Sequence, residues 1–192
     1  MKEVSFKDFD ILSEQDKSEA LALLHRYDQI DKQDSCQKDF ISFVKHLWPE
    51  FIEGRHHKII GDKFNKIAQG KLKRLIVCLP PRHSKSEFAS TYFPAWMMGK
   101  RGDLKIIQTT HTAELAVRFG RKVRNIIDSE EYQHIFPELK LQADNKSAGR
   151  WTTNQEGESF YAGVGGAITG RGADLLIIDD PHSEQDALSP KS

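Results

Sequence analysis

Cysteine is scarce in this chain, with only Cys36 and Cys78 among 192 residues, far apart in sequence. That leaves no basis for a disulfide framework or a cysteine-held zinc cluster, and a reducing, cytosolic setting is expected. Long apolar runs are missing too. Nothing approaches the roughly 20 residues that cross a bilayer, and Met1-Lys-Glu-Val opens no signal peptide, so no membrane association is expected. Excess charge is absent: 28 Lys and Arg balance 28 Asp and Glu. No global field therefore marks the chain for nucleic acid. Charge is uneven locally, with Lys71, Lys73 and Arg74 in one cluster and Arg118, Arg121, Lys122 and Arg124 on one predicted helix. Such clusters serve either as a solvated face or as a DNA contact.

What is present suits a globular protein. An apolar content of 38% builds a core, and the length fits one domain with an N-terminal appendage. Residues 1–34 read as that appendage, a charge-rich helical segment in which Ser13-Glu-Gln-Asp16 caps a helix to about Tyr27. The domain proper is expected over 35–192. Helices are predicted from Ser35 to Leu47 and from His56 to Ala68, the second closed by Gly70. Between them, Trp48 to His57 gathers aromatic and basic residues suited either to a wall for a nucleotide base or to ordinary packing.

The central stretch runs from Leu75 to Ser86. A short β-prone run, with Cys78 in a buried strand, ends in Pro80-Pro81, and a basic turn delivers Lys85-Ser86 to a helix from Glu87 to about Met98. Pro94 is expected to kink or end that helix. Strand, turn and Lys-Ser at a helix start is the layout of a phosphate-binding loop. Backbone N–H groups cradle a polyphosphate, the lysine reaches its outer phosphates, and the hydroxyl holds Mg²⁺. Pro81, Arg82, His83, Ser84, Lys85 and Ser86 are thus the candidate polyphosphate-binding residues. Glycine is lacking here, since Leu79 and Ser84 occupy the places where the pattern has it. Ser84 must then accept a tight backbone geometry that glycine adopts without strain. A basic loop with a serine cap is the other reading.

Further on, Lys105 to Thr110 reads as a strand leading into a helix from Ala113 to about Ile127, with Thr112 as its N-cap. A hairpin is expected over Arg150–Thr153 and Ser159–Ala162. Gly163 to Gly172 follows, with five glycines in ten residues, either a mobile loop beside the nucleotide or a plain connector. Arg171 within it stands where it could swing toward developing negative charge. Four aliphatic residues, Leu175 to Ile178, then read as a central parallel strand buried on both faces. It ends in Asp179 and Asp180, where α/β sheets place ligands and where an aspartate holds the Mg²⁺ of phosphoryl-transfer enzymes. A solvated acidic turn is the alternative.

Pro80-Pro-Arg-His-Ser-Lys-Ser86, Thr109-Thr110-His111, the Thr-Gly-Arg-Gly core of residues 163–172 and Leu175 to Pro181, in this order and spacing, resemble the ATPase domain of the large terminase subunit. That family is the motor that packages DNA into tailed-phage heads, and the likeness runs from about Phe40 to His182. The resemblance implies a P-loop NTPase core of α/β class, with a mainly parallel sheet flanked by helices. It implies that Lys85 and Ser86 match the Walker A lysine and hydroxyl, Arg82 the loop arginine near the γ-phosphate, and Asp179 the Walker B Mg²⁺ ligand. Asp180 stands where many relatives have the glutamate that orients the attacking water. ATP and Mg²⁺ follow as cofactors. Double-stranded DNA, the portal protein, the small terminase subunit and a homo-oligomeric ring follow as partners, and the host cell cytoplasm as location. An arginine from a neighbouring subunit is expected to assist, with Arg171, Arg121 and Arg124 as candidates. Only twelve residues follow Asp180, so the core is expected to be incomplete and the family's nuclease domain missing. Two rivals remain: a superfamily 2 helicase-like ATPase, reading Asp179-Asp-Pro-His182 as a DEAH variant, and a non-catalytic scaffold with a decayed P-loop.

Overall fold

A computed structural model describes residues 13–166 and 168–182, without the side chains of residues 143–146. The first twelve residues of the expected appendage, and the last ten of the chain, lie outside this set. Ser13 caps the first helix as expected, accepting the Asp16 N–H at 3.2 Å. Helix α1, Glu14–Lys38, runs well past Tyr27 and across the expected boundary at residue 34. The reason lies in the sequence: no proline or glycine interrupts residues 14–38, and the i,i+4 pairs Asp28–Lys32 and Asp34–Lys38 support the helix. Its C-terminal end is anchored, because Gln33 and Gln37 both donate to the Ile135 carbonyl. Asp39 ends α1 and caps α2, Phe40–Leu47, by accepting the Ser42 N–H at 2.8 Å.

Phe40 is fully buried and is the hub of the helical side of the core. Edge-on aromatic contacts reach it from Phe64, Phe88 and Trp96 at 5.0, 5.4 and 5.6 Å between ring centres. Phe64 comes from α3, Arg55–Ala68, which ends before Gly70 at φ 72°. The helix expected after the basic turn is broken into three parts. A single turn, α4 (Lys85–Glu87), passes into a one-turn π-helix, Phe88–Tyr92, and then into α5, Phe93–Lys100. Pro94 does not end the helix. It sits in the first turn of α5, where its missing N–H is tolerated, and the wide turn absorbs the mismatch with Phe93 N–H donating to Phe88.

The sheet has five described strands: β1 Lys105–Thr110, β2 Leu141–Ser147, β3 Arg150–Thr153, β4 Glu158–Gly163 and β5 Leu175–Asp179. Their order is β2-β3-β4-β1-β5. β1 pairs in parallel with β4 and β5, whereas β2–β3 and β3–β4 are antiparallel. The sheet is therefore mixed, not mainly parallel, and helices flank it. The hairpin adds an antiparallel half, and β2 was not anticipated. Helix α6, Ala113–Ile127, lies across β4 and is followed by α7, Glu130–Ile135. Gly120 permits that approach, since a Cβ there would meet Tyr161 Cδ2 on β4 at 2.6 Å. Among the described residues, no helix is long and apolar enough to cross a membrane.

Two expectations about strands fail. β5 is not central and is buried on only one face. It lies at the sheet edge, with Leu176 and Ile178 more than half exposed and Ile177 and Asp179 buried. Leu75 to Leu79 is not a strand, although its exposure alternates like one. It leans Leu75, Val77 and Leu79 on the core but makes no backbone hydrogen bond among the described residues. Cys78 is accordingly exposed, while Cys36 is buried.

Candidate functional site

The site is built around the turn that ends in Lys85. After Pro80 and Pro81, which offer no N–H, the backbone enters the left-handed region twice, at Arg82 (φ 62°) and Ser84 (φ 60°). Ser84 thus takes the geometry that its place in the pattern demands. An L-residue held there costs about 1–2 kcal/mol, and such strain gathers where a loop is shaped for a ligand. No backbone hydrogen bond occupies the N–H groups of Arg82 to Ser86 among the described residues. They are free donors for an anion. His83 folds back on the turn, its Nδ1–H donating to the Pro81 carbonyl at 2.8 Å.

The end of β5 meets this turn. Lys85 Nζ donates to Asp180 Oδ1 and lies 3.4 Å from Asp179 Oδ1, joining positions 95 and 94 residues apart in the chain. The two carboxylates differ in surroundings. Asp179 is buried and its Oδ2 accepts from Ser90 Oγ at 2.8 Å, whereas the Asp180 side chain is 65% exposed. Partial burial works to lower the Lys85 pKa, but the hydrogen bond to Asp180 and the charges of Asp179 and Asp180 outweigh it and leave the ammonium pKa raised. Asp180 also sits at positive φ, 44°, where its carbonyl accepts the His111 N–H at 3.1 Å. Glu87 ties the turn to α6 through Lys122. Nothing in the sequence distinguishes Ser90 from its neighbouring serines, and it emerges only from the structure.

The aromatic stretch before α3 does reach this site. The His56 ring lies 5.5 Å from His83, Phe51 packs on Phe88, and Trp48 stacks on Tyr92. His57 accepts the Gly54 N–H on Nδ1, and burial, with the neighbouring His56, holds its pKa low. The Nε2 atoms of His56 and His57 are buried without a hydrogen-bond partner. Helix α6 begins at the same end of the sheet, its Thr112 cap accepting the Leu115 N–H. A groove of about 480 Å³ there is lined by Thr112, Glu114, Val117, Arg118 and Arg121.

Arg171 is elsewhere. It pairs with Glu158 at 3.1 Å and lies over the Phe160 ring. Glu158 and Lys105 begin β4 and β1, and Asp174 bonds the Lys105 backbone. Thr110 and Asp179 end their strands together. Arg171 is therefore at the opposite end of the sheet, five steps of about 3.3 Å from the carboxylates. Within this chain it cannot reach the charge at Lys85.

No protein-family model, curated protein or solved structure matches this chain. A magnesium nucleotide fits the residues present on their own chemistry. Free N–H donors and Lys85 suit a polyphosphate, and Ser86 and Asp179 offer hard oxygens. Among the described residues, no group of three or more His, Cys, Asp or Glu forms a metal cage. Mg²⁺ needs none where phosphates supply most of its ligands.

Proposed function

We propose that this chain is an ATP-binding and hydrolysing P-loop domain of a DNA-packaging motor of the large-terminase type. The observation that carries this reading is the meeting of Lys85, on a left-handed turn with free N–H groups, with Asp179 and Asp180 at the end of a parallel strand. Mg²⁺ bound with ATP would neutralise the outer phosphates, held by the Ser86 hydroxyl and the Asp179 carboxylate. The chain's own residues do the rest by position and charge. Lys85 exchanges Asp180 for phosphate oxygens, and the N–H groups of Arg82 to Ser86 hold the chain of phosphates. The exposed Arg82 side chain is free to approach the terminal phosphate. Asp180, released from Lys85, becomes available to orient a water. Duplex DNA is the cargo this reading names, and Arg118 and Arg121 flank the same sheet end.

The decayed-loop reading also has an observation in its favour: residues 75–79, which should hold the turn, have no ladder hydrogen bonds among the described residues. Calorimetric titration of Mg-ATP into the chain and into Lys85→Ala separates the two. Saturable binding that Lys85→Ala abolishes is expected. Binding that ignores the substitution, or no binding by the unsubstituted chain, refutes an ATP site at this turn.

A further inference from the structure

Asp179 has a second partner that no phosphate-loop pattern includes. Ser90 is fully buried, and its hydroxyl donates to Asp179 Oδ2 at 2.8 Å within the core. Asp179 Oδ1 is left toward Lys85. A serine hydroxyl has one hydrogen to give, so Ser90 fixes which carboxylate oxygen faces the turn. The local backbone explains how it gets there. In an unbroken α-helix, Ser90 would lie about 140° round the axis from Lys85. The π-turn at Phe88–Tyr92 winds more slowly and lessens that angle, letting both residues reach one carboxylate from the same side. Single π-turns within helices are frequent at functional sites.

We propose that Ser90 is the positioning residue for Asp179, and that it sets the Mg²⁺ affinity of the site by presenting Oδ1 to the metal. This rests on the nucleotide-site reading above. Lys85, the neighbouring cation, answers the charge of Asp179 but leaves its rotation about the Cβ–Cγ bond undefined, because it is shared with Asp180. Ser90 supplies the missing constraint from a place closed to water.

The test compares ATP binding with and without Mg²⁺ in the full chain, in Ser90→Ala and in Ser90→Thr. For Ser90→Ala, the Mg²⁺ concentration that half-completes the Mg-dependent gain in affinity rises about 10- to 100-fold, the usual loss when a partner of a metal-binding carboxylate is removed. Metal-free ATP binding is unchanged, and Ser90→Thr, which keeps the hydroxyl, restores the midpoint. If Ser90→Ala does not fold, Ser90→Cys fills the site with a side chain of the same branching and only a weak donor, and moves the midpoint the same way. An unchanged midpoint in a folded variant overturns the role of Ser90 alone. Absence of Mg-ATP binding by the unsubstituted chain overturns the site reading itself, and this role with it.

Discussion

Lys85 is held by Asp180, so on the proposed function ATP competes with a contact inside the protein. Asp180→Asn removes that competitor without changing shape. The Asp180 side chain is 65% exposed and that of Lys85 23%, so the pair belongs with solvent-screened ones, worth about 0.2–1 kcal/mol. Asp179 stays 3.4 Å from Lys85 and keeps the lysine near the turn. If the contact is lost on binding, ATP affinity in Asp180→Asn rises by about 1.4- to 5-fold. The proposed function also expects hydrolysis to fall in the same variant, since it assigns the orienting of water to this carboxylate. Calorimetric titration reads the first effect and phosphate release the second. The affinity gain shrinks as salt is raised, because an exposed pair is screened. Affinity that falls or stays the same, measured at low salt, refutes the exchange of Asp180 for phosphate at Lys85. Full turnover would remove Asp180 from the chemistry.

Two further outcomes test the surroundings of the site. The folded-state pKa of His57 lies below its ordinary 6.5, so the unfolded chain takes up the proton first. Stability is fully present above about pH 6.5 and is lost as pH falls toward the folded value. His57→Asn, whose side-chain oxygen can still accept the Gly54 N–H, should flatten that acid loss of melting temperature; an equally steep decline excludes His57 as its source. Ser84→Gly relieves about 1–2 kcal/mol of left-handed strain and gives back about 0.5–1 kcal/mol in backbone entropy. The net gain of up to about 1.5 kcal/mol is up to about 3–6 °C for a chain of this size, and Ser84→Ala gains nothing. A glycine variant no more stable than the alanine variant refutes the strain argument.

The local pattern of the chain was readable wherever one residue's chemistry decides its backbone. Ser13 and Thr112 cap the helices expected of them, Gly70 closes α3, and Lys105–Thr110 and the 150–162 hairpin are strands. Leu175–Ile178 could be read as a strand but not as an edge. An apolar run states its preference for burial, and only the neighbours present decide whether both faces are covered. The same holds for Leu75–Leu79, whose alternation survives as a half-buried extended segment while its pairing, a long-range property, does not form among the described residues. Asp179 and Lys85 were legible because each sits at the end of an element. Ser90 was hidden because a π-turn, set by Pro94 four residues later, decides where its hydroxyl points.

Arg171 shows how far topology outweighs proximity in sequence. It lies eight residues from Asp179, yet they stand at opposite ends of the sheet. β4 and β5 both run parallel to β1, so the link between them must travel back across the sheet before β5 begins. Any residue late in such a link stands at the start of the next strand, not at its carboxyl end. Arg171 is held there by Glu158 and Phe160, a contact at the end of the sheet away from the proposed site. Its reach toward a phosphate would require the open end of another subunit, with the Glu158 pair broken. By contrast, Arg118 and Arg121 follow β1 directly and inherit its carboxyl end. A search for a stimulating arginine at Lys85 therefore begins with those two on α6.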